Sequence, residues 1–206
     1  MFTLKLFYAY KFFVIFIIFF GISACVSSSR LDESRYYSLT PLSQIYSDER
    51  LNPQLNLGIG PVEISSILNR PQLVYRENNN EIKISEHNQW AGSLREEIQK
   101  TLIERAMDIS GSDRIMHYPW PRDHWPDYET HIRIDRLDGT LGKEVVLVAH
   151  WDLFTERGKK LLSSRTSRHT ITLTNNDFLT YVIAQQTALS HLADEIVNEV
   201  VSLQNN

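Results

Sequence analysis

The groups in this 206-residue chain best suited to covalent or metal chemistry are one thiol, Cys25, and seven imidazoles. A lone cysteine can form no internal disulfide, and in an exported chain it requires a role of its own. His117, His124 and His131 recur every seven residues, and His131, His150 and His169 fall on three successive strand candidates. No two histidines stand at the helical i, i+4 or strand i, i+2 spacing that would aim both at one ion, so no metal site is expected, and no cofactor. Asp135 with Asp138, and Glu96 with Glu97, could pair a general acid with a general base. A solvated strand edge or helix surface is the simpler account of each. The nucleophile elbow G-x-S-x-G, the H-E-x-x-H zinc motif, the P-loop and the dinucleotide fingerprint are all missing from the sequence. Gly58-Ile59-Gly60 lacks a third glycine and a following helix, and reads as a sheet feature. The chain is not expected to be an enzyme.

The position of Cys25 explains it. Lys5 and Lys11 precede an apolar run, Phe12–Ile22, which is followed by the small residues Ser23 and Ala24. That order is an export signal. The run of eleven residues is short for a membrane-crossing helix, which needs about 20. An uncleaved anchor would have to recruit residues 2–10 and make both lysines snorkel. Ile22-Ser23-Ala24-Cys25 resembles the bacterial lipobox, in which the thiol is alkylated with diacylglyceride and the chain is cut before the cysteine. The alternative is a free thiol beside an ordinary cleavage site. Acylation would supply the two or more chains that stable anchoring requires. Residues 1–24 are thus expected to be a lipoprotein signal peptide and 25–35 an acylated cysteine with a flexible tether. "VSSSRLDESR" can span at most about 36 Å, which keeps the folded body near its membrane. Val26 stands where an inner-membrane retention signal would carry Asp, so the outer membrane, facing the periplasm, is expected, with the periplasmic face of the inner membrane as the alternative.

Residues 36–206 are expected to form a single domain. Composition is globular, with 42% hydrophobic and 22% charged residues. A net charge of −4 excludes the basic excess that drives binding to nucleic acid. Strands are predicted at 36–39, 55–64, 72–76 and 81–85, the last two joined as a hairpin through the turn-rich "ENNN". Ser93-Leu94-Arg95-Glu96 has the form of a capping box, and Leu94, Ile98, Leu102, Ala106 and Ile109 follow at helical spacing, which predicts a helix over 93–109 stopped by Gly111. Strands at 128–137, 144–154 and 161–173 form an antiparallel meander. Val182, Gln185, Leu189, Leu192, Ile196, Val200 and Leu203 mark a closing amphipathic helix. The class is α+β: an antiparallel or mixed sheet with two long amphipathic helices packed on it.

Gly60-Pro61-Val62, Arg70-Pro71-Gln72, Val74, Arg76, Trp90, Leu94, Pro119-Trp120 and Trp151 occur in an order and at separations that resemble the PqiC-type ABC-transport auxiliary lipoproteins. The segment "RPQ-x-V-x-R" is the most specific part, and the likeness covers the whole mature chain. Ser65, Asn69 and Gln89 depart from the pattern, where the family often has proline, aspartate and arginine. The resemblance implies a lipid-anchored subunit of a mammalian-cell-entry (MCE) intermembrane lipid-transport system. Its partners would be an MCE-family periplasmic protein and that protein's membrane permease, with a homo-oligomer possible. A lipoprotein that itself binds a lipid or envelope ligand, and an envelope hydrolase, are the competing classes. Arg70, Arg76, Trp120 and Trp125 are the candidate partner-binding residues. The arginines can equally orient strands, and the two tryptophans can equally belong to the core, where Trp90 and Trp151 are expected.

Overall fold

Among the described residues, two amphipathic helices and eight strands account for nearly all the regular structure. The computed structural model describes residues 33–39, 51–78 and 80–204. Cys25, the export signal and most of the tether lie outside them. The strands are β1 (Arg35–Tyr37), β2 (Leu57–Ile64), β3 (Gln72–Arg76), β4 (Ile82–Trp90), β5 (Ile115–His117), β6 (Tyr128–Thr140), β7 (Glu144–Thr155) and β8 (Lys160–Thr172). The helices are α1 (Leu94–Ser110) and α2 (Phe178–Gln204). They form an α+β unit that runs from Ser34 to the C-terminus.

The strands divide between two sheets, one ordered β1-β4-β3 and the other β5-β2-β6-β7-β8. The expected meander is present, with β6, β7 and β8 antiparallel in sequence order. So is the β3–β4 hairpin. β2 departs from simple up-and-down order, because it runs parallel to both of its neighbours, β5 and β6. A parallel pair needs a long crossover, and the segment containing β3, β4 and α1 supplies it.

The helices lie in contact with each other on the large sheet, α1 over β2 and β5, α2 chiefly over β7 and β8. The stripe Leu94, Ile98, Leu102, Ala106, Ile109 is wholly buried, as are Val182, Gln185, Leu189, Leu192, Ile196 and Val200 of α2; Leu203 is exposed. Leucines and isoleucines recurring every three or four residues can all face one layer, and the sheet is that layer. Arg105 of α1 forks onto Asp194 of α2 at 2.7 and 3.2 Å and also holds Asp108 at 2.8 Å. The hydrogen bond to Asp194 raises the Arg105 guanidinium above its ordinary value.

The capping box is not formed. Ser93 occupies the N-cap position of α1 with extended backbone, yet its side chain makes no cap hydrogen bond. Glu97, a turn further on, ties this end down instead, accepting from the Leu39 amide at 3.0 Å and the Ser38 hydroxyl at 2.8 Å. A long-range partner thus replaces the local one that the sequence pattern suggests. At α2 the cap is real. Asp177 accepts the Thr180 amide at 2.8 Å and the Thr180 hydroxyl at 3.0 Å. The Thr180 backbone hydrogen bond, foremost, holds the Asp177 carboxyl below its ordinary value.

These two caps make opposite predictions. Ser93→Ala should shift stability by less than about 0.5 kcal/mol, as surface changes that break no bond do. Asp177→Ala should lower the thermal midpoint at neutral pH. Because the folded carboxyl is depressed, its contribution is present above the unfolded value of about 4 and is lost as pH falls through the depressed one. Melting curves of both variants against pH check this, and a midpoint for Asp177→Ala equal to wild type at pH 7 would refute the cap.

Candidate partner-binding site

The segments that carry the sequence pattern meet one another inside the fold. At Gly58 an added Cβ would lie 2.7 Å from the Trp120 ring and 2.8 Å from Pro126, so the bare backbone of β2 is what admits the indole. Gly60, at φ +120°, would carry a Cβ 2.9 Å from Gln99 of α1 and from the Tyr118 side chain. Gln99 Nε2 closes this corner by donating to the Ile59 carbonyl at 2.8 Å. The glycine-rich strand and the Pro119-Trp120 segment are therefore two halves of one lock. The pairing of β2 with β6 shifts register between Ile59 and Val62, at the bulge that the glycines mark.

The "RPQ-x-V-x-R" segment has a similar internal role. Arg70 Nε donates to the Ile67 carbonyl at 2.8 Å and tightens the turn before β3. The Trp90 amide donates to the Pro71 carbonyl at 2.6 Å. Arg76 reaches from β3 to Asp138 on β6 at 2.8 Å, where Arg136 also arrives at 2.6 Å. The Asp138 side chain is 2% exposed, so two guanidinium groups hold a carboxylate out of water. That hydrogen bond raises Arg76 above its ordinary value against the opposing effect of burial. Tyr181 of α2 completes the group. Its hydroxyl donates to the Val74 carbonyl at 2.8 Å and accepts the Gly139 amide at 2.9 Å. Burial foremost, and then the neighbouring Asp138, push its phenol above the ordinary range.

The four tryptophans separate cleanly. Trp90, Trp151 and Trp120 are buried, at 5%, 3% and 9% exposure. Trp151 Nε1 donates to Ser167 Oγ at 2.9 Å. Trp120 takes the Tyr118 ring edge-on, with centroids 5.2 Å apart. Trp125 alone remains half-buried. Its Nε1 donates to the buried Glu129 carboxylate at 2.6 Å, and Arg157 from the β7–β8 turn stands 5.9 Å from its ring centroid. Tyr118 is 46% exposed, and Arg122, Asp123 and His124 are exposed beside it. This loop presents aromatic and charged groups to solvent from a rigid base, which is the arrangement that interface anchors need.

Opposite the helices, the outer face of the large sheet is polar. His131, Arg133, His150 and Asp152 project there around an open depression of about 170 Å³ that Pro61, Glu63 and Ile132 complete. His150 lies between Asp135, at 2.9 Å from Nε2, and Thr166, at 2.8 Å from Nδ1. Hydroxyl, imidazole and carboxylate in a row suggest acyl transfer. However, Asp135 is paired with Arg133 at 3.0 Å, and all these side chains stand on one exposed sheet face whose backbone amides serve the ladder. The row is a cross-strand network. Asp138, the other half of the proposed carboxylate pair, points to Arg76 and Arg136 instead.

A family model described as "ABC-type transport auxiliary lipoprotein component" matches residues 37–197. No curated protein matches the chain. Among solved structures, an uncharacterized protein superposes with a TM-score of 0.65 at 16% identity, over 81% of this chain and 98% of its own. A Xanthomonas campestris protein of the family DUF330 gives 0.63 at 15% identity, over 83% and 98%. At such identities these likenesses establish the fold.

The Asp138 group should dominate stability. Asp138→Ala removes the buried carboxylate that two partly buried guanidinium groups share and is expected to cost about 1.5–3 kcal/mol or more, the range for hydrogen bonds to charged groups. Tyr181→Phe removes hydrogen bonds to two backbone groups and should cost about 1–3 kcal/mol. Denaturant midpoints measure both, and an Asp138→Ala midpoint within error of wild type would contradict the description.

Proposed function

The chain belongs to the family of ABC-type transport auxiliary lipoprotein components, and from that premise we propose that it is the lipid-anchored periplasmic subunit of an MCE intermembrane lipid-transport system. In this reading it docks the periplasm-spanning assembly at the outer membrane through acylated Cys25. The observation that carries the reading is the family match over residues 37–197, joined to the lipobox-like sequence that ends at Cys25. Such a subunit performs no bond chemistry. It contributes placement: the acyl chains hold one end, the tether limits excursion, and a surface of the folded unit engages the MCE protein.

The loop 118–127 is the surface best suited to that contact. Tyr118 is open to solvent, Trp125 is half open, and both rest on buried partners, so little side-chain entropy remains to be lost on docking. Arg70 is half-buried and is a secondary candidate. Arg76 has its partner within the fold. The reading in which the protein itself carries a lipid finds less support. The depression on the outer sheet face is lined by Glu63, His131, Arg133, His150 and Asp152, groups that suit polar ligands and not acyl chains.

Two experiments test this function. Cys25→Ala should abolish incorporation of labelled fatty acid and release the processed chain from membranes, and wild-type incorporation in the variant would end the anchoring claim. Purification of the tagged, acylated chain from its own membranes should recover an MCE-domain protein with its permease. Tyr118→Ala should weaken that recovery about tenfold or more with a modest change in thermal midpoint, the signature of an exposed hot spot. Trp125→Ala should weaken recovery and also lower the midpoint, since it strips the buried Glu129 of its donor. Undiminished recovery with both variants would remove the loop from the interface.

A further inference from the structure

Where β8 meets α2, three metal-ligating side chains come together that the proposed function leaves unused. His169 projects from β8, while His191 and Glu195 stand i, i+4 on α2 and so share one helix face. The His169 side chain is only 14% exposed. Its Nε2 is buried without a hydrogen-bond partner, 3.3 Å from Glu195 Oε1. Buried polar atoms in a native fold are almost always hydrogen-bonded, and here the Glu195 carboxylate is the group that faces this nitrogen. The His191 ring meets the His169 ring edge-on, with centroids 5.4 Å apart.

The carboxylate is held in place from behind. Ser167 donates its hydroxyl to Glu195 Oε2 and accepts the indole N–H of the buried Trp151. One carboxylate oxygen is thereby fixed and the other left facing His169, which is how outer hydrogen bonds orient a metal ligand. The 3.3 Å between Nε2 and Oε1 matches two ligands on one tetrahedral ion: with zinc bonds of about 2.0–2.2 Å, neighbouring donors stand about 3.3–3.5 Å apart. Among the described residues no three such groups already close on one point. The group missing from closure is His191, whose side chain lies on the exposed surface of α2 with its ring against that of His169.

We propose that His169, His191 and Glu195 form a binding site for a zinc-class divalent cation, with water completing the coordination. Two imidazoles and one carboxylate suit zinc and its late first-row neighbours, and do not suit magnesium or calcium, which take all-oxygen sets. Occupied, the site clasps the outermost strand of the large sheet to the long helix.

The test uses the full acylated chain in detergent, without a histidine tag and stripped of metal by chelation. Calorimetric titration with zinc should give one saturable equivalent, and zinc should raise the thermal midpoint, as any ligand of the folded state alone does. Magnesium should do neither. His191→Ala and Glu195→Gln alter exposed side chains and should each weaken zinc at least about tenfold, at the low end of what even outer-shell changes produce. His124→Ala, remote in sequence and exposed, should leave the affinity unchanged. The proposal is overturned if zinc does not saturate, if both site variants bind as wild type does, if magnesium binds equally, or if His124→Ala abolishes binding.

Discussion

Asp138 is the constraint on which the architecture turns. A carboxylate that is 2% exposed must find cations and donors to replace the water it has lost. Arg136 comes from its own strand, but Arg76 comes from β3, so the small sheet must abut the end of the β6–β7 hairpin. Tyr181 then fixes α2 to both sheets, because its one hydroxyl serves the Val74 carbonyl in the small sheet and the Gly139 amide in the large one. Gln185, a turn further along α2, donates to the Leu137 carbonyl at 2.8 Å. Hydrophobic burial holds these layers together, but it is not directional. The polar group at their junction admits a single arrangement.

The residues that carry the resemblance are mostly occupied in this way. Gly58 makes room for Trp120, Gly60 lets α1 and Tyr118 approach β2, Arg70 and Pro71 shape a turn that receives Trp90, and Arg76 seals the junction. A pattern of this kind specifies the framework of the fold. Partner choice belongs on surfaces that the pattern does not dictate. The 118–127 loop combines the two, since Trp120 is its root in the core while Tyr118 and Trp125 remain at the surface.

On the outer sheet face His150 pairs across strands with Asp135 and Thr166, Asp152 pairs with Ser164 at 2.5 Å, and Asp135 also holds Arg133 along its own strand. The polar cluster around Glu195 is different, because it lies between a strand and a helix, where His169 faces the Glu195 carboxylate at 3.3 Å. Charge pairs along one sheet face stabilise that face alone. Groups that bridge β8 and α2 couple two layers.

The sequence by itself determined whatever depends on local periodicity and local chemistry. Both helices follow from leucine and isoleucine spacing, and the meander and the β3–β4 hairpin from alternation and turn residues. Pairings between distant segments were decided only by the tertiary structure. β5 is three residues long and exists because β2 lies beside it. β4 continues through the polar stretch Glu86-His87-Asn88-Gln89 to Trp90 because β1 and Gln72 supply partners there. Ser93 looks like a cap and bonds nothing, since Glu97 finds Ser38 and Leu39. Trp120 and Trp125 stand five residues apart in one loop, and only the cavity over Gly58 sends one inward. His169 and Glu195 share no local spacing at all. Periodicity reports which face of an element seeks burial, because each element's own backbone geometry sets that face. It carries no information on which distant side chain will meet it, because that contact forms only when the layers close.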